Sequence, residues 1–466
     1  MMINVLLLNP PFYQLLVRDN YCCHTSKGDY VWAPSDLLYL SGIMTDAEVQ
    51  LKVLDAVVDK RTKEEVLEEV EAFQPNVVIT LSGTLSFSTD VVLLDEIKAR
   101  TGCRHYVMGN LPAFNPRLVL EKYAHIEGVI HNFFDIDILS HIKNPIQLVD
   151  SVSCRLPSGD LHIGRINYLP KRGKPMPPVP RYDLFPNHKY TTPISYRTPM
   201  TTVITAFGCP YGCDFCVASA LNLYMRDIKN VEAEFDSAKE AGIKELFFMD
   251  STFNAHLPRM REICQLMVDK GYGFTWSCNV HSLRWSLEDF QLMKQAGCHT
   301  IQIGVEAGTQ ESLDKFAPTK KLSNLKSVFE AAHKAGLRTL AYFIIGFPEE
   351  GKDQVEETIS FALELDPFFA SFTTLVPDYG TDFYLEAVEK RMIQPGLQTF
   401  DNSGTAILEN TVLTKEEREV LLKRAYRKFY FRPRQLWKYV SDVRNFPLYM
   451  RNGVHLIKKY FTSASA

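Results

Sequence analysis

The sequence predicts an α/β protein built from an N-terminal doubly wound, Rossmann-like domain and a partial (β/α)6 TIM-type barrel, with a helical C-terminal tail. Three observations predict it. Short apolar runs alternate with helical patterns over residues 1–144. A hairpin and a proline-rich stretch then occupy 145–195. The alternation resumes near Thr201 and gives six further strand–helix units within 196–385, before a basic helical region over 386–466. A chain of 466 residues is also too long for one ordinary core, so two or three domains are expected.

The first strand is INVLLL at 3–8, a continuous apolar run of the kind a buried parallel strand needs, and NPP ends it. LKVLDAV, around Val53 to Ala56, is a second such run. KEEVLEEVEAF follows, with Val66, Leu67, Val70 and Phe73 on one helical face. NVVITLSG at 76–83 is the next strand, and TDVVLLDEIKAR the next helix, with Thr89 as its expected N-cap. RHYVMGN and EGVIHN continue the series. SVSCRLPSGDLHIGR reads as a hairpin turning at Ser158 and Gly159. PKRGKPMPPVPRYDLFP is proline-rich and basic, an extended linker that marks the domain boundary. In the second part the strands are TTVITAF, ELFFMD, FTWSCNV, TIQIGVE, RTLAYFIIGFP and ASFTTLVP, each separated from the next by a helical pattern. In such barrels chemistry sits at the carboxyl ends of the strands.

Composition excludes several classes. A net charge of −4 gives no general nucleic-acid signal, and no run of eighteen apolar residues exists to span a membrane. MMINVLLLNPPF lacks the basic flank and small-residue cleavage site of a signal peptide. Ten cysteines in a chain this long do not make a disulfide scaffold, and most read as buried small hydrophobes.

Three of those cysteines are different. GCPYGCDFC carries Cys209, Cys213 and Cys216 as C-x3-C-x2-C on one loop, directly after the first barrel strand. Thiolates are soft ligands suited to iron–sulfur clusters, and three are one short of the four irons of a cubane. A structural zinc site would want a fourth ligand, and no second C-x-x-C or nearby C-x-x-H stands in the sequence. The motif, with Gly208, Gly212 and Phe215 in place, resembles the signature of the radical S-adenosylmethionine (radical SAM) enzymes. That resemblance implies a 4Fe–4S cluster held by Cys209, Cys213 and Cys216. SAM would complete the fourth iron and be cleaved to methionine and a 5′-deoxyadenosyl radical. It covers roughly 195–385, because the other strand ends also match. MDSTFN is similar to the family's D-x-x-F stretch and offers Asp250 and Asn254. GVEAG places Glu306 at the family glutamate. IIGFPEE, with Gly346 and Pro348, is similar to G-x-P-G-E, and PDYGT to P-x-P-G-T. Departures are His281, where an arginine is usual after Trp276, Glu349 for glycine, and Tyr379 for proline. Asp250 also has a bland reading, as the cap of the next helix.

The domain order resembles one large subgroup with an N-terminal cobalamin-binding domain. LLLNPPF, PSDLLYLSG, LDA and LSGTLSF match it, the last bringing Ser82 and Thr84. Cobalamin would then lie between the carboxyl edge of the first sheet and the barrel mouth. MGNLPAF keeps only Gly109 of the subgroup's G-G-x-H, and IHNFFD replaces its G-E, so both loops depart from the pattern. The resemblance implies cobalamin-dependent methyl transfer to an unactivated carbon. Without cobalamin it implies a cyclase, an epimerase with Cys278 as a candidate hydrogen donor, or a rearrangement enzyme. A non-catalytic iron–sulfur protein is the rival from another class. Expected partners are a small-molecule, lipid or peptide substrate and an electron donor such as flavodoxin or ferredoxin, in a reducing, cytoplasmic compartment. From Lys415 to Lys459 stand thirteen Lys or Arg against four Asp or Glu, interleaved with aromatics. This region is either a solvated helical cap or a peripheral membrane contact.

Overall fold

The computed structural model describes residues 2–20, 22–165, 176–401, 406–442, 449–450 and 453–454. Most of the predicted linker's basic half, PKRGKP, therefore lies outside the described residues, as do Phe446, Tyr460 and Phe461 of the tail.

The chain opens with β1 (Ile3–Asn9), a small antiparallel pair β2 (Leu16–Arg18) and β3 (Cys23–Thr25), helix α1 (Ser35–Ile43) and β4 (Val49–Asp55). Then come α2 (Lys63–Phe73), β5 (Val77–Leu81), α3 (Phe87–Thr101), β6 (Arg104–Met108), α4 (Asn110–Phe114), α5 (Pro116–Lys122), β7 (Gly128–Ile130) and α6 (Asp137–Lys143). The strands β8 (Val152–Arg155) and β9 (Leu161–His162) end this part. The sheet order is β4-β1-β5-β6-β7-β8-β9, parallel from β4 to β7. The hairpin expected to open the linker is instead the antiparallel edge of this first sheet, because β8 pairs with β7 and β9 with β8. Thr89 is also not a cap. Helix α3 begins at Phe87, and the Thr89 hydroxyl donates within the first turn to the Ser86 carbonyl (2.7 Å).

The second sheet is β10 (Met200–Val203), β13 (Glu245–Phe248), β14 (Thr275–Val280), β15 (Cys298–Glu306), β16 (Arg338–Ile345) and β17 (Phe369–Thr374), parallel throughout and in that order. Between β10 and β13 a two-stranded ribbon, β11 (Ala206–Phe207) with β12 (Tyr224–Met225), frames the cysteine loop. Helices α7 (Ile228–Glu240), α8 (Leu257–Lys270), α9 (Leu287–Gln295), α11 (Leu322–Lys334) and α12 (Lys352–Leu365) cover the outer face, and the short α10 (Gln310–Phe316) lies beside the cysteine loop. Helix α13 (Asp382–Glu389) follows β17, and α14 (Lys415–Tyr430) and α15 (Pro433–Ser441) close the described chain.

Strand alternation sorts the barrel's two faces. Phe248 packs on Phe235 of α7, so its register partner Val203 also faces the helices. Thr202 and Phe247 then face the lumen, as Tyr342 and Ser371 do on β16 and β17. The segment Lys27–Ala33 lies against that concave face. Trp32 meets Phe247 edge-on with ring centroids 5.7 Å apart, and Thr202 Oγ1 donates to the Ala33 carbonyl (3.2 Å). Lys27 Nζ donates to Ser371 Oγ (3.2 Å) and the Phe372 carbonyl (3.1 Å). The first part of the chain thus lines the interior of the second.

A buried polar lock adds to this contact. Tyr39 of α1 and Tyr182 both donate to Glu234 of α7 (2.8 Å each), and Arg226 closes an ion pair with the same carboxylate. Both members of the pair have fully buried side chains, so each needs the other and the two hydroxyls.

The open edge of β17 is covered by tyrosines rather than by a strand. Tyr426 OH donates to the Phe372 carbonyl (2.9 Å), and Tyr430 OH to the Ala370 carbonyl (2.7 Å). The same oxygens accept from the Phe372 and Ala370 N–H groups (3.2 Å each). Side chains thereby satisfy edge groups that would otherwise invite another strand.

Candidate active site

The loop from Gly208 to Cys216 sits where β10 and the β11–β12 ribbon deliver it, at the carboxyl end of the barrel. Gly208 has φ +67°, and a Cβ there would fall 2.5 Å from the Asn222 carbonyl oxygen, so the loop's entry needs glycine. Ser219 Oγ fixes the exit by donating to the carbonyls of Cys213 (2.8 Å) and Cys216 (2.6 Å).

All three loop cysteines are free thiols, each partly exposed. Burial pushes the Cys213 thiol up to about 11, and burial followed by the Cys213 sulfur pushes Cys216 up to about 12. Cys213 and Cys216 stand near enough to feel one another's charge, and both favour their neutral forms until a cation is supplied. Among the described residues no three His, Cys, Asp or Glu side chains group around a single metal ion. A cubane makes a different demand, since each cysteine holds a different iron. The donor set, three soft thiols on one loop, suits that arrangement.

Glu306 and Lys320 stand beside the thiols. Glu306 ends β15 with φ +69° and pairs with Lys320 Nζ at 2.6 Å. Lys320 also donates to the Gly304 carbonyl (2.8 Å), and its side chain is 6% exposed. The loop that carries Lys320 is tied to the cysteine loop, because the Asp214 N–H donates to the Phe316 carbonyl (3.4 Å). Phe215 lies 6.0 Å from Phe347, which stacks on Phe316 at 4.4 Å and walls off this side. Sequence reasoning missed Lys320. It stands in a short connection between Lys315 and Lys321, and nothing in its local pattern separates it from those surface lysines.

The other predicted residues are committed within the protein. Asp250 accepts from the Thr205 N–H (2.6 Å) and Thr205 Oγ1 (2.5 Å), and burial raises its carboxyl to about 6. It therefore braces the end of the first barrel strand and does not cap a helix; His256 caps α8. Asn254 spends its amide on the loop after β14, donating to the His281, Leu283 and Arg284 carbonyls and accepting from the His281 N–H (2.8 Å). His281 stacks on Tyr211 of the cysteine loop at 3.7 Å. Its Nδ1 accepts from the Leu283 N–H (3.1 Å), which leaves the proton on Nε2, directed to Thr319 Oγ1 (3.3 Å). Burial, then the charge of Lys320, lowers the imidazole to about 3, so the ring is neutral. Gly346 has φ +77°, and a Cβ there would meet the Arg418 side chain at 2.8 Å; Pro348 accepts from the Val412 N–H (2.9 Å). These two hold the C-terminal region against the barrel. Cys278 is fully buried, and burial followed by contact with Cys298 raises its thiol. It shares β14's outward face with Cys264 of α8, away from the lumen.

The carboxyl edge of the first sheet abuts the barrel mouth. Phe134 and Phe133 meet Phe207, just before the cysteine loop, at 3.7 and 5.6 Å, and a Cβ at Gly380 would fall 2.1 Å from Phe114. Ser82, Thr84 and Gly109 cluster at that edge. Ser82 Oγ donates to Asp90 (2.5 Å), and the Thr84 N–H to Asn110 Oδ1 (3.1 Å). Gly109 has φ +113° and lies so close to Ser82 that a Cβ would sit 1.8 Å from its carbonyl oxygen. The missing side chain at Gly109 thus answers the close approach of the Ser82 backbone. The histidine of the neighbouring loop, His131, has both nitrogens engaged, with the Ala113 carbonyl (2.9 Å) and Ser153 Oγ (2.6 Å). It is not placed to ligate a metal.

Residues 203–362 match the family described as the Radical SAM superfamily. An uncharacterized methyltransferase of Pyrococcus horikoshii is 27% identical over 89% of this chain and 91% of its own length. Two solved structures share the architecture. One is the radical SAM methyltransferase TsrM from Kitasatospora setae with cobalamin and a [4Fe-4S] cluster bound, with a TM-score of 0.66, 17% identity, and coverage of 85% of this chain and 76% of that one. The other is the cobalamin-dependent SAM radical enzyme OxsB, with a TM-score of 0.70, 14% identity, and coverage of 100% and 74%.

Proposed function

We propose, taking as premise that this chain carries a radical SAM domain over residues 203–362, that it is a cobalamin-dependent methyltransferase acting on an unactivated carbon. The observation that carries the reading is the cysteine loop at the barrel mouth, flanked by the buried Glu306–Lys320 pair on one side and the first sheet's edge on the other. When bound, the cluster supplies the electron that cleaves SAM, and cobalamin the means of methyl transfer.

The chain's own residues do the rest. Cys209, Cys213 and Cys216 would hold the cluster, with SAM completing it. Lys320 holds the Glu306 carboxylate in place beside the cysteine loop, where it would meet SAM. Asp250, Asn254 and His281 hold the loops after β10 and β14 in place around it. Phe215, Phe316 and Phe347 exclude water from the loop's inner side. Ser82, Thr84 and Gly109 shape the carboxyl edge of the first sheet, the side on which cobalamin would be held. The domains in this reading are the Rossmann-like unit, extended by the β8–β9 hairpin, the barrel and the helical C-terminal region. In the lumen, Gln302 Nε2 and Trp32 Nε1 are buried donors without a partner among the described residues, so the substrate meets donors between aromatic rings. The substrate is a small molecule, lipid or peptide, the electron donor a flavodoxin or ferredoxin, and the C-terminal region touches a membrane surface.

Anaerobic protein prepared with cobalamin available is expected to hold about four irons and near-stoichiometric cobalt, and to cleave SAM when reduced. Alanine at Cys209, Cys213 or Cys216 is expected to cost most of the iron and all of the cleavage. Iron without cobalt after loading would turn the reading to a cyclase, epimerase or rearrangement enzyme. Intact cluster without SAM cleavage would leave a non-catalytic iron–sulfur protein.

A further inference from the structure

We infer that the outer face of α15 docks on an anionic lipid surface. This deepens the membrane contact proposed above and is independent of the cluster chemistry.

Helix α15 is fixed in rotation by its inner face. Gln435 Nε2 donates to the Phe368 carbonyl (2.7 Å), and Tyr439 OH donates to the same oxygen (3.0 Å). Tyr439 also packs against Phe369, with ring centroids 5.8 Å apart. At about 100° per residue, Leu436, Trp437 and Val440 then fall on one arc of the opposite side. Their exposures agree: 50% for Leu436, 71% for Trp437 and 53% for Val440. A helix that packs on a protein core through a glutamine and a tyrosine while showing water a tryptophan, a leucine and a valine has its apolar face outward.

The charge beside this face is positive. Arg432 (3.4 Å), Arg434 (2.9 Å) and Lys438 (2.9 Å) all converge on one carboxylate, Asp366. Three cations on one anion leave a local excess of two positive charges, with the Arg434 side chain 75% exposed. A basic flank beside an apolar face with a tryptophan is the pattern of a helix lying in a membrane interface. Anionic headgroups answer the excess charge, and the Trp437 ring suits the boundary between headgroup and acyl chain.

Other occupants fit less well. A second copy in two-fold contact would set this positive patch against itself. Three apolar side chains also fall far short of the roughly 800 Å² per partner that stable interfaces bury. Nucleic acid would use stacked aromatics, whereas Leu436 and Val440 offer no π-face.

The test uses the full-length protein, cosedimented with vesicles of phosphatidylcholine alone and of phosphatidylcholine with about 30% phosphatidylglycerol. Expected is binding to the anionic vesicles about tenfold or more tighter than to neutral ones, weakened by salt. A blue shift of tryptophan emission should accompany it and vanish in Trp437→Phe. The combined variant Leu436→Ser, Trp437→Ser, Val440→Ser should lose about tenfold or more in vesicle binding while keeping the wild-type melting temperature and iron content. Full vesicle binding by that variant would overturn the assignment to α15 while leaving a membrane contact elsewhere. Absence of binding by the wild type would overturn both. A concentration-dependent dimer lost in the variant would assign the face to a second copy instead. None of these outcomes bears on iron content or SAM cleavage, which stand or fall separately.

Discussion

Lys320 is a cation with a nearly buried side chain, held by a carboxylate and a carbonyl, next to thiols that become anions when they bind iron. Reducing a cluster adds negative charge, so a fixed cation nearby favours the reduced form and a fixed anion opposes it. Lys320→Met is expected to lower the cluster's midpoint potential, Glu306→Gln to raise it, and Lys320→Arg to leave it nearly unchanged. Redox titration followed by electron paramagnetic resonance, without SAM, reads this directly; potentials equal to wild type would leave Lys320 a purely structural brace. Asp250 offers a second test. Its carboxyl titrates near 6 in the fold against 3.8 unfolded, so between those values the folded state binds more protons. Its contribution is therefore full below about pH 4 and is lost as pH rises through 6, a span worth ~3 kcal/mol. His281, held low, acts in the opposite sense over acidic pH. The difference between wild type and Asp250→Asn isolates the aspartate. Asparagine can keep both Thr205 contacts, so the variant should gain on wild type in thermal melts as pH rises from 5 to about 7. That the three cysteines share one loop and that Glu306 ends a strand was legible in the sequence, because spacing and strand ends are local patterns. The bonds that occupy Asp250, Asn254 and His281 were not, since their partners come from other loops.

Buried parallel strands write themselves as apolar runs, which is why the β1, β5, β6 and barrel strands were readable from sequence. The β11–β12 ribbon and the β8–β9 edge were harder. A two-residue strand has no period, and a hairpin's membership of a sheet depends on which edge lies nearby. Gly109 shows how tightly one such element is set. Any Cβ there meets the Ser82 backbone, which cannot rotate away as a side chain would, at a φ that disfavours other residues. Gly109→Ala is expected to cost on the order of 3 kcal/mol or more. A chemical denaturation midpoint equal to wild type would show that the β5 and β6 ends can separate freely.

The order of two α/β units was legible in the whole molecule, because the rhythm of strand and helix breaks and restarts. Their interpenetration was not. Nothing in the sequence singles out the segment Tyr30 to Ala33, yet its Trp32 and Ala33 meet the lumen face of a barrel whose first strand lies far along the chain. A fragment beginning at residue 196 would lose these rings, Lys27 and the Tyr39–Glu234 contact together. It is expected to show no cooperative thermal transition, and adding the separate N-terminal fragment should restore one. A cooperative melt by the barrel fragment alone would mean that the lumen closes without its insert.

That insert also sets an order in time. During synthesis, Lys27–Ala33 leaves the ribosome before any of the walls that will enclose it, so its aromatic rings are first presented to water or to a holding chaperone. The barrel strands emerge only afterwards, and β17, the last of them, supplies the Lys27 contact. The vulnerable moment in this protein's life falls midway through translation, when the key exists and the lock does not.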